Sequence, residues 1–246
     1  MTNGNGMSTL KTKELPRIGV LGGMGPLASA VFMVQLVEST PAAFDREHFQ
    51  HTLDSSPQIP DRPTAIAGNG PDPLEEIIQA IRRLEGAGAS LIVMPCNTVH
   101  HWYEGIAAST SLPVIHIADA VATCIRSEIP SAKRVGVLGS TVTSKHLIYE
   151  KRLGTEWDWV FATDDELAEA VMPGIAAVKA GNLVLGRQHF LNAVAKMIQR
   201  KVDVVVFACT EIPIVVKPED VSVPTIDSSL ALARHTVKIA GEMRQQ

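Results

Sequence analysis

Cys96 and Cys209 are the two residues whose type and placement most need a chemical explanation. Each closes an apolar run, Leu91-Ile92-Val93-Met94-Pro95 and Val204-Val205-Val206-Phe207-Ala208, and each is followed by polar residues, Asn97-Thr98 and Thr210-Glu211. A lone buried cysteine is an ordinary core residue. Two at matching points of a repeated pattern are not explained by packing. A thiol at the end of a strand, beside the N–H groups that open the next helix, is expected to have its pKa lowered from about 8.5 toward neutrality. Either sulfur is then a candidate acid or base near neutral pH. One thiol on each side of a substrate suits inversion of a carbon stereocentre: a proton leaves one face and another arrives on the opposite face. The charge so formed gathers on a neighbouring carboxylate, and Asn97, Thr98, Thr210 and Glu211 stand where N–H groups and hydroxyls would meet it.

Other chemistries use these residues less completely. His100 and His101 could join the cysteines as metal ligands, but two cysteines 113 residues apart, with no C-x-x-C element, are a weak zinc signal. A single nucleophilic cysteine with a histidine base leaves the second cysteine unexplained. Gly23-Met24-Gly25-Pro26-Leu27-Ala28 satisfies G-x-G-x-x-A, yet no acidic strand end follows about 20 residues on, so no dinucleotide cofactor is expected. That loop and its counterpart Gly139-Ser140-Thr141-Val142-Thr143 are read instead as N–H donors to a carboxylate. Arg62, in the Pro-bounded Ile59-Pro60-Asp61-Arg62-Pro63, suits a bidentate grip on a carboxylate, although alone the segment reads as a surface turn. Lys179 ends a helical pattern just before Gly181, where a cation also favours the helix C-terminus. Cys124 lies in a helical pattern without a repeat partner and reads as structural.

The elements that must position these residues alternate. Short apolar runs predict strands at residues 17–22, 91–95, 114–116, 134–139, 202–208 and 223–226, and Trp157 and Trp159 flank an acidic residue in an edge strand. Helical patterns lie between them at residues 28–39, 74–86, 99–108, 118–127, 144–153, 165–180, 186–200 and 229–244. Ile18-Gly19-Val20-Leu21-Gly22 matches Val135-Gly136-Val137-Leu138-Gly139 at an offset of 117 residues; the two cysteine segments match at 113 and Leu112-Pro113-Val114-Ile115 matches Val223-Pro224-Thr225-Ile226 at 111. The expected fold is therefore α/β: two similar domains, each a mainly parallel sheet flanked by helices, facing each other across a cleft. The division expected is residues 16–118 plus 228–246 for one domain and 119–227 for the other, with residues 1–15 a disordered extension.

Composition narrows the partner. Among 246 residues, 46% are apolar and 20% charged, which is globular usage. With 22 basic and 26 acidic residues the net charge is −4, so neither nucleic acid nor an anionic membrane is an expected partner. Three cysteines at long intervals and no secretory h-region point to a cytoplasmic protein acting on a small molecule.

With Gly22-Gly23-Met24-Gly25-Pro26, Ile59-Pro60-Asp61-Arg62, Met94-Pro95-Cys96-Asn97-Thr98-Val99-His100 and Ala208-Cys209-Thr210-Glu211-Ile212 in view, the chain resembles the aspartate/glutamate racemase superfamily, and within it the aspartate racemase branch. The resemblance covers about residues 17–240. It implies a two-domain α/β fold, a homodimer, and racemisation of an acidic amino acid without PLP or any other cofactor. Cys96 and Cys209 match the two acid/base cysteines, with the first taking the proton from the D form. Arg62 and Lys179 match the substrate-holding cations, and Met24, Asn97, Thr98, Val99, Thr210 and Glu211 fall in substrate-contacting loops. Gly-Met-Gly in the first loop and Cys-Thr-Glu in the second motif set it apart from the cell-wall glutamate racemases, which carry Asp-Ser-Gly and Cys-Thr-His. Hydantoin racemisation, malonate decarboxylation and non-catalytic amino-acid sensing are the alternatives. The two cysteines argue against a one-cysteine decarboxylase, and the Arg62 and Lys179 pair argues for a dianion over a neutral hydantoin.

Overall fold

The computed structural model describes residues 15–245. The extension expected over residues 1–15 lies, apart from Leu15, outside the described residues. Eight strands form two four-stranded parallel sheets. The first contains β1 (Arg17–Gly22), β2 (Gln50–Ser55), β3 (Leu91–Val93) and β4 (Val114–Ile115) in the order β2-β1-β3-β4. The second contains β5 (Arg134–Gly139), β6 (Asp158–Phe161), β7 (Val204–Ala208) and β8 (Thr225–Asp227) in the order β6-β5-β7-β8. The orders coincide once each strand is exchanged for its repeat, and so does the register: Ile18 pairs with Leu91 as Val135 pairs with Val204. The fold is thus a duplicated α/β architecture, as the repeat requires.

Helices α1 (Pro26–Ser39), α2 (Arg62–Ile66), α3 (Leu74–Gly86), α4 (Tyr103–Ala108) and α5 (Ile117–Glu128) accompany the first sheet. With the second run α6 (Thr141–Lys145), α7 (Ile148–Leu153), α8 (Asp164–Glu166), α9 (Met172–Lys179), α10 (Leu183–Gln199) and α11 (Ile212–Val215), and α12 (Ser228–Gln245) returns to pack mainly on the first half. Each sheet is covered on both faces, which is why its central strands are continuous apolar runs. Alternate residues of β5 and β7 feed two cores: Leu138, Val205 and Phe207 meet α9 and α10, while Val135, Val137, Val204 and Val206 meet α5 and α7. Helix α5 gives Ile117 and Ala120 to the first half's core and Val121, Ala122 and Ile125 to the second's. Helix α12 likewise gives Leu232 and Val237 to one and Ala231 to the other. These two helices form the seam between the halves, and the expected cut at residues 118 and 119 falls inside α5.

Three differences from the expected elements have local causes. β2 was not among the expected strands, because Gln50–Ser55 is a half-exposed edge strand rich in polar residues. The pattern over residues 144–153 divides into α6 and α7 at Leu147, whose φ of 52° is left-handed. The pattern over residues 165–180 includes a π-helical segment, Leu167–Val171, ahead of α9.

Candidate active site

In each sheet the chain leaves β1 or β5 toward one edge and crosses back to the other side, so the β1/β3 and β5/β7 pairs flank topological switch points. Crevices at the carboxyl ends of strands at such points are the ligand sites of open α/β sheets. Cys96 follows β3 and Cys209 follows β7 directly, and both line one cavity of about 250 Å³ between the halves. Met24, Arg62, Asn97, Thr98, Lys179, Thr210 and Glu211 line it too.

The loops are shaped by short-range constraints. Gly23 has φ +89°, and a Cβ there would stand 2.5 Å from the Ser56 backbone, so only glycine serves. Its N–H donates to Ser29 Oγ at 2.9 Å, and Ser29 Oγ donates to the Gly25 carbonyl at 2.8 Å, pinning the loop that carries Met24. His100 fixes the Cys96 turn: its Nδ1–H donates to the Cys96 carbonyl at 2.9 Å and its Nε2 accepts the Ile117 N–H at 3.1 Å. Both ring nitrogens are engaged in backbone contacts, and burial lowers the pKa to about 4, so His100 acts as a neutral strut and not as a metal ligand.

The two thiols have different neighbours. Cys209 Sγ donates to Glu211 Oε2 at 2.9 Å. Burial raises the Cys209 pKa well above the ordinary thiol value, and the charge and hydrogen bond of Glu211 raise it further. Cys96 is also raised by burial, but the Arg62 guanidinium, the Val99 N–H and Lys179 work against that rise. The lowering expected from helix N-termini is therefore overturned. Burial outweighs it, because both helical segments after the cysteines begin two or three residues further on and each thiol is nearly sealed from water.

Arg62 is buried, not held in a surface turn. One guanidinium N–H group donates to the Ile59 and Pro60 carbonyls, both at 3.1 Å, while Nε has no partner among the described residues. A buried cation with an unspent donor and no ion pair among the described residues is poised for an anion. Lys179 ends α9, and with Met172, Ile175 and Ala176 it faces the cavity at the i, i+3, i+4, i+7 spacing of one helix face.

Asn97 lines the cavity, but its amide is largely spent elsewhere. Oδ1 accepts from Tyr149 Oη at 2.6 Å, Nδ2 donates to Ser228 Oγ at 3.0 Å, and Ser228 Oγ donates to the Phe207 carbonyl at 2.7 Å. Thr98 Oγ1 meets Ser140 Oγ at 3.1 Å across the same seam. Val99 is not brought to the cavity: its side chain is fully buried in the first half's core, and only its N–H reaches the Cys96 sulfur. Sequence reasoning did not single out Ser140, Met172, Ile175 and Ala176 as site residues. Ser140 had a signal, since it stands where Gly23 does in the repeat; the three apolar residues read as core.

Two duplicated α/β halves, each contributing a buried thiol to one anion-ready cavity, have the architecture of the two-domain α/β racemases. The Asp/Glu/Hydantoin racemase family model matches residues 21–236, and the chain belongs to that family of isomerases. It is 31% identical over 227 residues to the broad specificity amino-acid racemase RacX of Bacillus subtilis (strain 168), covering 89% of this chain and 96% of that one. The aspartate racemase of Picrophilus torridus superimposes with a TM-score of 0.82 at 30% identity, covering 92% of this chain and 94% of that one. Glutamate racemase isoform RacE1 of Bacillus anthracis, at 19% identity and a TM-score of 0.64 over 94% of this chain and 83% of that one, shares the fold.

Proposed function

We propose that this isomerase racemises aspartate, and acidic amino acids more broadly, by a two-thiol mechanism that needs no cofactor. One observation carries the reading: the cysteines at equivalent points of the two repeats line the same cavity, together with a buried arginine whose Nε–H is unspent. Arg62 and Lys179 supply two positive charges, enough for the two carboxylates of a dicarboxylic amino acid. With the substrate so held, the thiolate on one wall removes the Cα proton, and the thiol on the other wall delivers its own proton to the opposite face. The charge left between the two transfers is stabilised at the α-carboxylate by Arg62, Thr98 and Thr210. Glu211, whose Oε2 already accepts the Cys209 S–H hydrogen bond, is the base placed to take that proton when Cys209 acts as the thiolate.

The test is proton NMR of L- and D-aspartate with the protein in D2O, without added PLP or metal, followed by chiral chromatography. The native protein is expected to wash out the Cα–H signal and to produce the mirror-image form. Cys96→Ser and Cys209→Ser should each nearly abolish racemisation, while each retains exchange with one enantiomer only, through the surviving thiol. Full racemisation by either variant would refute the two-thiol scheme.

A further inference from the structure

The cavity holding the thiols is small for a ligand site, since such sites commonly span about 300–1,000 Å³. Beside it lies a second cavity of about 690 Å³, and Asp61, Arg62, Lys179 and Glu211 belong to the walls of both. Away from these shared residues, the second cavity is lined mostly by apolar groups, Leu27, Ile59, Val178 and Ile214 among them, with Gln58 the one other polar side chain. Pro57 and Pro60 in one loop and Pro26 at the start of α1 restrict the backbone around the space. Leu27, at 50% exposure, offers apolar area that a bound side chain would remove from water.

Resting on the racemase reading above, we propose that the second cavity is a side-chain compartment of the same site: it receives α-amino acids whose side chains are longer and more apolar than that of aspartate. The α-carboxylate and Cα stay with Arg62 and the two thiols, and the side chain occupies the apolar space beyond the shared wall. The substrate class of this chain then extends from acidic amino acids to methionine, norleucine and phenylalanine.

The experiment measures Cα–H exchange and racemisation of L-aspartate, L-methionine, L-norleucine and L-phenylalanine by the native protein, Leu27→Trp and Ile214→Phe. Both substituted residues line only the second cavity, and circular dichroism confirms that each variant is folded. The native protein is expected to turn over the three long-chain amino acids. Each variant should lower their kcat/KM by about tenfold or more, the scale on which a crowded apolar pocket discriminates, with aspartate changed by less than about twofold. Turnover of aspartate but of no long-chain amino acid overturns the inference and leaves the racemase reading standing. A parallel fall for all four substrates also overturns it, because the cavity is then only an entrance. Turnover of the long-chain substrates alone upholds the compartment and removes aspartate from the reading above. No exchange with any substrate overturns both.

Discussion

A buried thiol is a strong base once ionised but is scarcely ionised at neutral pH, so what sits beside it decides whether it can act. Cys209 has Glu211 as a proton acceptor at 2.9 Å, whereas Cys96 has Arg62, Lys179 and the Val99 N–H to favour its thiolate. In the proposed mechanism the two thiols therefore reach the same chemistry by different means. Glu211 has two opposing effects: its charge raises the Cys209 pKa, yet its oxygen is the hydrogen-bond acceptor that the proposed mechanism uses to take the proton. Glu211→Gln should separate them. Racemisation should fall by roughly 10²- to 10⁴-fold, the usual contribution of a positioned acid/base group. The Cys209 pKa should move down, and alkylation of Cys209 by iodoacetamide at fixed pH, followed by mass spectrometry, should become faster. Slower alkylation together with lost activity would mean that Glu211 merely shapes the pocket.

At the scale of elements, legibility in the sequence followed burial. β1 and β5 are buried almost throughout, and their apolar runs gave the right limits; β2 has no fully buried residue, and its polar residues concealed it. The paired cysteines were legible because duplication made them conspicuous, but Met172, Ile175 and Ala176 are indistinguishable in sequence from core residues of α9. The start of α5 shows a constraint that no periodicity reveals. His116 is its N-cap, with Nδ1 accepting the Ala118 N–H at 3.1 Å, and its ring lies tilted against that of His100 with the centroids 4.6 Å apart. Burial and the neighbouring His100 push its pKa down to about 2. Both rings are thus neutral in the fold, while in the unfolded chain they protonate near about pH 6.5. Because the unfolded state binds more protons below that point, stability falls as pH is lowered, by about 1.4 kcal/mol per pH unit for each such histidine. His116→Asn keeps a good N-cap and removes one titrating ring. Urea midpoints between about pH 6.5 and about pH 4 should fall less steeply in the variant, even though its stability at neutral pH is lower. An unchanged acid slope would show that His116 does not carry the linkage.

At the scale of the whole molecule, the proposed two-thiol racemisation needs both walls in register, whereas exchange at one face needs only one. That register is held near the thiols by the buried chain Tyr149–Asn97–Ser228–Phe207, which ties the loop after β3 to α7, the start of α12 and the end of β7. Both side-chain groups of Asn97 are used by it, and the Tyr149 residue that donates to it is fully buried. Burial raises the Tyr149 pKa, which keeps the hydroxyl protonated as a donor across the working pH range. Tyr149→Phe preserves the ring but leaves Asn97 Oδ1 without that donor, at an expected cost of about 1–3 kcal/mol, read from the denaturation midpoint. A small displacement of one half relative to the other moves Cys96 and Cys209 out of opposition without disturbing either pocket wall. Racemisation by Tyr149→Phe should then drop by about tenfold or more, because misplacement of a reacting group by about 1 Å can cost far more than the contact that caused it. Exchange of the Cα–H at a single face, measured in D2O with each enantiomer over short times, should drop much less. The ratio of the two rates is the diagnostic quantity. If both fall by the same factor, the chain from Tyr149 to Phe207 stabilises the protein but does not align its halves, and the seam helices α5 and α12 must carry the register alone.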